Sequence, residues 1–238
     1  MTRTGPDAPV AATFRAHHRG GGLYSEFVSQ RAGSLLALAA YRLRLSPSAV
    51  TLAGLTVGVG SSVGLVWWAT SSVRPGSALV AGLAAGLGWQ IAYALDCADG
   101  QLARVTGRTS NAGARLDILS DVAVQISVVA ALCAVTASWT PATPAWLYAL
   151  FAGAWMVNLI TSVLAHGSVA ASLVPSRSPL VRVAKLIRDY GAVIGGCALV
   201  VAVRPGSTVW LLAVMALVNG LFLVAGIAQA ARAALIEG

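Results

Sequence analysis

The sequence predicts an all-α polytopic membrane protein, with six transmembrane helices preceded by an amphipathic N-terminal juxtamembrane helix. Three observations carry this. Of 238 residues, 57% are hydrophobic and only 10% charged, against about 25% charged in a soluble domain. Apolar runs, most of them near the roughly 20 residues needed to cross hydrocarbon, alternate with short turns such as SSVRPGS and SWTPATP. The basic residues gather at helix ends and in loops, where they set topology and meet anionic headgroups. That placement makes the net charge of +8 a membrane feature and argues against nucleic acid. Cys97, Cys133 and Cys197 show no paired or metal-ligand spacing and read as small apolar residues.

Residues 1–22 are polar and glycine-rich, read as a disordered tail with no cleavable signal peptide. Residues 23–45 follow a helical pattern in which apolar residues cluster while Arg31, Arg42 and Arg44 carry charge, as in a helix lying on a membrane surface. A membrane domain is expected over 46–238. Ser46-Pro47-Ser48 supplies a helix start, and the first span covers about Ala49 to Ala69. Its glycines, Gly54, Gly58, Gly60 and Gly64, suit close helix approach. The second span runs from Ala78 through Arg104, the third from about Ala112 to Ala137, and the fourth from about Ala145 to Ala165, with His166 at its end. Residues 175–189 are basic, and Arg182, Lys185 and Arg188 recur every three residues, one stripe on a helix. The stripe reads either as a topological anchor or as an anion pocket for an acceptor's phosphate. The fifth span covers about Tyr190 to Val203 and the sixth about Thr208 to Ala230.

The chemistry concentrates in residues 96–121, DCADGQLARVTGRTSNAGARLDILSD, which hold four of the chain's eight acids. Carboxylates in apolar sequence are costly and mark a functional site. Asp96 and Asp99 are three apart and Asp117 and Asp121 four apart, so each pair shares a helix face. Two such faces turned together would surround one small volume with four like charges, which calls for a compensating cation. Hard divalent ions with oxygen ligands fit, Mg²⁺ above all where phosphates are handled, and two ions would suit attack on a phosphoryl group. Gly100 permits close approach, Arg104 supplies a fixed positive charge, and the small Ala103 and Gly113 leave room for a ligand.

The pattern Asp-x2-Asp-Gly-x2-Ala-Arg-x8-Gly-x3-Asp-x3-Asp resembles the signature of the CDP-alcohol phosphotransferase family, with every fixed position met by Asp96, Asp99, Gly100, Ala103, Arg104, Gly113, Asp117 and Asp121. The resemblance implies a six-helix membrane fold and a homodimeric enzyme whose partners are a CDP-linked lipid donor and a small alcohol acceptor. It implies transfer of a substituted phosphate, from CDP-diacylglycerol in the reading favoured here, with release of CMP. The four aspartates would hold two Mg²⁺ or Mn²⁺ ions, and Asp121 would be the general base. Gly100, Ala103, Arg104, Ser110 and Gly113 would contact CDP. Ser48, Ala49, Val50 and Thr51 resemble the segment near its diphosphate; without the resemblance, an ordinary helix cap is the favoured reading. The stripe Arg182, Lys185 and Arg188 would hold a phosphorylated acceptor.

Fourteen of the sixteen Lys and Arg residues, all but Arg74 and Arg204, fall on the side of the N-terminus and the aspartates, which the positive-inside rule makes cytoplasmic. A multi-pass protein of the cell membrane is expected. Rival readings are transfer of a headgroup from a small CDP-alcohol to a lipid acceptor such as diacylglycerol, a divalent-cation transporter, and a non-catalytic scaffold. The last two leave the Gly100 and Arg104 spacing, or the four carboxylates, without a use.

Overall fold

A computed structural model describes residues 9–17, 24–71, 77–165 and 189–237. Among these residues the chain is helical throughout. The elements are α1 (Ala11–Ala16), a π-helical turn (Ser25–Ser29) running into α2 (Gln30–Arg42), α3 (Pro47–Thr70), α4 (Ala78–Thr106), α5 (Asn111–Trp139), α6 (Ala145–Ala165), α7 (Tyr190–Val203), a 3-10 turn (Pro205–Ser207) and α8 (Thr208–Glu237).

Serine caps start the long helices. The Ser46, Ser77 and Ser110 hydroxyls accept from the backbone N–H groups of Ala49, Val80 and Gly113, satisfying donors that the first helical turn leaves unpaired. Gly107 ends α4 in the left-handed conformation at φ 67°, where a glycine carries no Cβ penalty. Only three residues then separate it from α5, so a short loop joins the two aspartate-bearing helices.

Among the described residues, four segments are long and apolar enough to cross a membrane: Pro47–Thr70, Ala78–Thr106, Asn111–Trp139 and Pro205–Arg232. Ala145–Val157 and Tyr190–Val203 are shorter apolar helices. Leu52, Val63, Trp67, Leu83, Leu87 and Ile126 point outward, as residues facing lipid tails must.

Helix α4 is central, with α2, α3 and α7 packed on it, while α6 packs on α8. Helix α3 also lies along α5, wedged between the two aspartate helices. A Cβ on Gly58 would come 2.9 Å from Val124 of α5 and 3.2 Å from Ala92 of α4, so this glycine sets how deeply α3 enters. Gly54 also packs against α4, whereas a Cβ on Gly60 or Gly64 would meet nothing within 4 Å among the described residues. The main core gathers Trp68, Trp89, Leu132, Val135, Phe151 and Val201 from five helices.

The N-terminal segment departs from the expected tail. Within it, α1 docks on α2 and α4, and Phe14 is 0% exposed among Ala37, Ala40, Val50, Ala98 and Leu102. One buried aromatic ring gives this short helix an anchor that hydrophobic periodicity cannot reveal. The helix expected over 23–45 is present from Tyr24 to Arg42 as the π-helical turn and α2. The basic stripe, with Arg182, Lys185 and Arg188, and His166 lie outside the described residues.

Candidate active site

Because α4 and α5 both lean on α3, the space between their aspartate faces stays open. Two adjoining cavities occupy it. The inner one is lined by Asp96, Asp99 and Asp121, by Thr51, Tyr93, Ser120 and Tyr190, and by an apolar floor including Leu55, Trp89 and Val124. The outer, roomier one is lined by Pro47, Ser48, Thr51, Asp99, Gly100, Ala103, Arg104, Arg108, Thr109, Ser110, Gly113, Ala114 and Asp117. Thr51 and Asp99 belong to both.

Helical spacing explains the arrangement. Trp89, Tyr93 and Asp96 recur at four and three residues on α4, and Asp117, Ser120, Asp121 and Val124 at three, one and three on α5, each set along one face. Asp99 is 4% exposed and accepts a hydrogen bond from the Thr51 hydroxyl of α3. Asp96 lies within electrostatic reach of Asp99, Asp117 and Asp121. Below them, Trp89 donates to the Ser62 hydroxyl at 2.9 Å, and Ser127 reaches the same oxygen at 3.0 Å, fixing the floor from three helices.

In the outer cavity Gly100 makes room for Arg104. A Cβ there would sit 3.1 Å and 3.2 Å from the two terminal guanidinium nitrogens. Arg104 Nε donates to the His17 carbonyl at 2.6 Å, so the end of α1 reaches the edge of this cleft. The Ser110 hydroxyl serves as the α5 cap at 3.0 Å from Gly113 N while facing the same space.

Most residues singled out in the sequence therefore meet here. Ala49 and Val50 do not. Ala49 is exposed, and Val50 is buried with Phe14, Ala98 and Leu102. At 100° per residue, Ser48 and Thr51 share the face that meets the cleft and the two between them turn away. Sequence reasoning missed Tyr93, Ser120, Tyr190, Arg108 and Thr109. The first two could have been found, since they share helix faces with the aspartates.

One further group adjoins the inner cavity. Buried Asp189, at the start of α7, accepts from Ser25 N at 2.9 Å and from the Ser25 hydroxyl at 2.6 Å. With its proton committed to Asp189, Ser25 Oγ is left to accept from Tyr93 Oη at 2.8 Å. The Tyr93 ring meets Tyr190 edge-on, with centroids 5.2 Å apart.

Among the described residues, no group of three or more His, Cys, Asp or Glu side chains stands as a formed metal centre. The donor set nevertheless suits hard divalent ions. All four groups are carboxylates, and buried Asp117 Oδ1 has no hydrogen-bond partner among the described residues, a cost that an ion or ligand would relieve.

A helical membrane protein with a carboxylate-lined cavity opening onto an arginine-bearing cleft is equipped to handle phosphate esters. A model of the CDP-alcohol phosphatidyltransferase family matches residues 44–229, and the chain belongs to that family. Members transfer phosphatidyl groups in lipid synthesis, from a CDP-linked donor to an alcohol or lipid acceptor, and use divalent metal ions. No curated protein matches the chain at a significant level.

Proposed function

We propose that the protein transfers a phosphatidyl group from CDP-diacylglycerol to a small phosphorylated alcohol such as an inositol or glycerol phosphate, releasing CMP. The observation that carries this reading is the pair of cavities meeting at Thr51 and Asp99, one bearing Arg104 and Arg108, the other three carboxylates. The outer cavity would take the nucleotide: Arg104 and Arg108 offer charge to the diphosphate, and Ser48, Thr109 and Ser110 offer hydroxyls. The inner cavity would take the acceptor's reacting end.

Asp121 lines the inner cavity and would remove the proton of the acceptor hydroxyl. The freed oxygen would form its bond to the lipid-bearing phosphorus as the bond to the CMP oxygen breaks, and CMP would leave with that electron pair. Asp96, Asp99, Asp117 and Asp121 would hold two Mg²⁺ or Mn²⁺ ions, whose charge offsets that of the diphosphate and leaving group. Thr51, donating to Asp99, would fix that carboxylate. Donor acyl chains could stay in lipid beyond the helices.

The basic stripe Arg182, Lys185 and Arg188 supports a phosphorylated acceptor on sequence grounds. The charge asymmetry supports a cell-membrane protein with its N-terminus and active site toward the cytoplasm. A homodimer is part of the same proposal, as the family resemblance implies.

The test is CMP release by purified protein with Mg²⁺, CDP-diacylglycerol and a panel of alcohols, with Asp121→Asn as control. Release that depends on one acceptor and vanishes in Asp121→Asn supports the reading. Release only when a small CDP-alcohol and diacylglycerol are supplied overturns it in favour of headgroup transfer. Ion flux without nucleotide dependence would point to a transporter.

A further inference from the structure

The inner cavity holds two hydroxyls that the mechanism does not use. Ser120 is 7% exposed, its Oγ is buried, and it finds no hydrogen-bond partner among the described residues. Tyr190 Oη is likewise buried without a partner. Both residues line the inner cavity with Asp96 and Asp121. A buried hydroxyl left unpaired is costly, and native proteins keep few.

Their orphaning contrasts with the neighbouring polar groups. Tyr93 is bound to Ser25, and Ser25 to Asp189; Gln90 Nε2 donates to the Gly191 carbonyl at 2.7 Å. The Asp189 and Gly191 contacts flank Tyr190 in sequence and hold the first turn of α7 against α4 and the π-helical turn. Tyr190 is thus pinned from both sides while its own hydroxyl is left open. Ser120, from α5, lines the same space.

We infer that Ser120 and Tyr190 bind a second, non-reacting hydroxyl of the acceptor, making them specificity-determining residues for a polyhydric alcohol. The inference rests on the transferase reading and deepens it. Each protein hydroxyl can donate and accept, and so can an alcohol hydroxyl, so one ligand group can satisfy both. An acceptor with no second hydroxyl would leave both unpaired. Sites built to hydrogen-bond a hydroxyl discriminate strongly against analogues that lack it.

The experiment compares glycerol 3-phosphate with propane-1,3-diol monophosphate, and myo-inositol 1-phosphate with its deoxy analogues, in wild type, Ser120→Ala, Tyr190→Phe and the double variant. The wild type is expected to prefer the hydroxylated member of the pair it uses by about tenfold or more in kcat/KM. Each variant should narrow that preference severalfold by raising acceptor KM, leaving the CDP-diacylglycerol KM unchanged. Variants that slow both members equally, or raise donor KM, overturn the inference. A second readout is independent of turnover. Because neither hydroxyl has a partner among the described residues, ligand-free Tm should stay level or rise in both variants. A fall would show that the hydroxyls are structural and would also overturn it. No turnover in the wild type with any acceptor refutes the transferase reading itself, and the inference with it.

Discussion

Replacing Gly82 by alanine should separate the two helices that frame the inner cavity. A Cβ at Gly82 of α4 would stand 2.5 Å from Ala202 N, 2.7 Å from its Cα and 2.8 Å from its Cβ, all on α7. The nearest of these is backbone, which cannot rotate aside. Moving that contact from 2.5 Å to at least 3.4 Å requires about 0.9 Å of helix displacement. Overpacking of this kind costs about 1–3 kcal/mol. Alanine's helix propensity, worth about 1 kcal/mol over glycine, acts in the opposite sense. Gly60→Ala is the matched control, because Gly60 is helical, exposed and, among the described residues, without any atom within 4 Å of a new Cβ. The difference between the two variants removes the propensity term and isolates the packing cost. For a chain of this size, about 2–4 °C of Tm accompanies each kcal/mol. Thermal unfolding in one detergent should therefore place Gly82→Ala several degrees below Gly60→Ala. Equal melting temperatures would refute the close approach of α4 and α7, and with it the placement of Tyr190 beside Asp96.

Three further outcomes are expected. Thr51→Val keeps the shape but removes the hydrogen bond to Asp99. A bond to a charged group is worth about 1.5–3 kcal/mol, so CMP release should fall roughly ten- to hundredfold, and an unchanged rate would deny Thr51 a role in fixing the carboxylate. Gly100→Ala places a methyl against the Arg104 guanidinium, a flexible end that can yield. Tm should hold while donor KM rises severalfold; an unaltered KM would detach Arg104 from the nucleotide. Asp189→Ala leaves the buried Ser25 N–H without its acceptor, while the Ser25 hydroxyl keeps Tyr93, a loss of about 1–3 kcal/mol. Asp189→Asn should recover much of the Tm deficit, and no difference between the two would contradict the bond to Ser25.

Much of this site is legible from residue spacing. The aspartate pairs, the serine caps and the long apolar helices are local properties, fixed by a 3.6-residue period and by the satisfaction of terminal N–H groups. What escapes is non-local. Asp189 closes a basic run and reads as one more charge in it, yet its partner Ser25 lies 164 residues away. The division of the site into two cavities depends on α3 entering between α4 and α5, which only packing decides. Helix α1 escapes for a different reason: six residues stabilised by one ring give no periodic signal. Ala49 and Val50 show the converse, since the helical period alone assigns them to another face than Ser48 and Thr51.

The wall shared by the two cavities has a kinetic consequence. Thr51 and Asp99 stand between the two spaces, so on the proposed reading neither substrate would need to vacate its place before the other arrives. A ternary complex would then be the reacting species, with no covalent phosphatidyl-enzyme between half-reactions. Double-reciprocal plots at several fixed acceptor concentrations should intersect. Parallel lines would mean that the lipid phosphate changes hands twice.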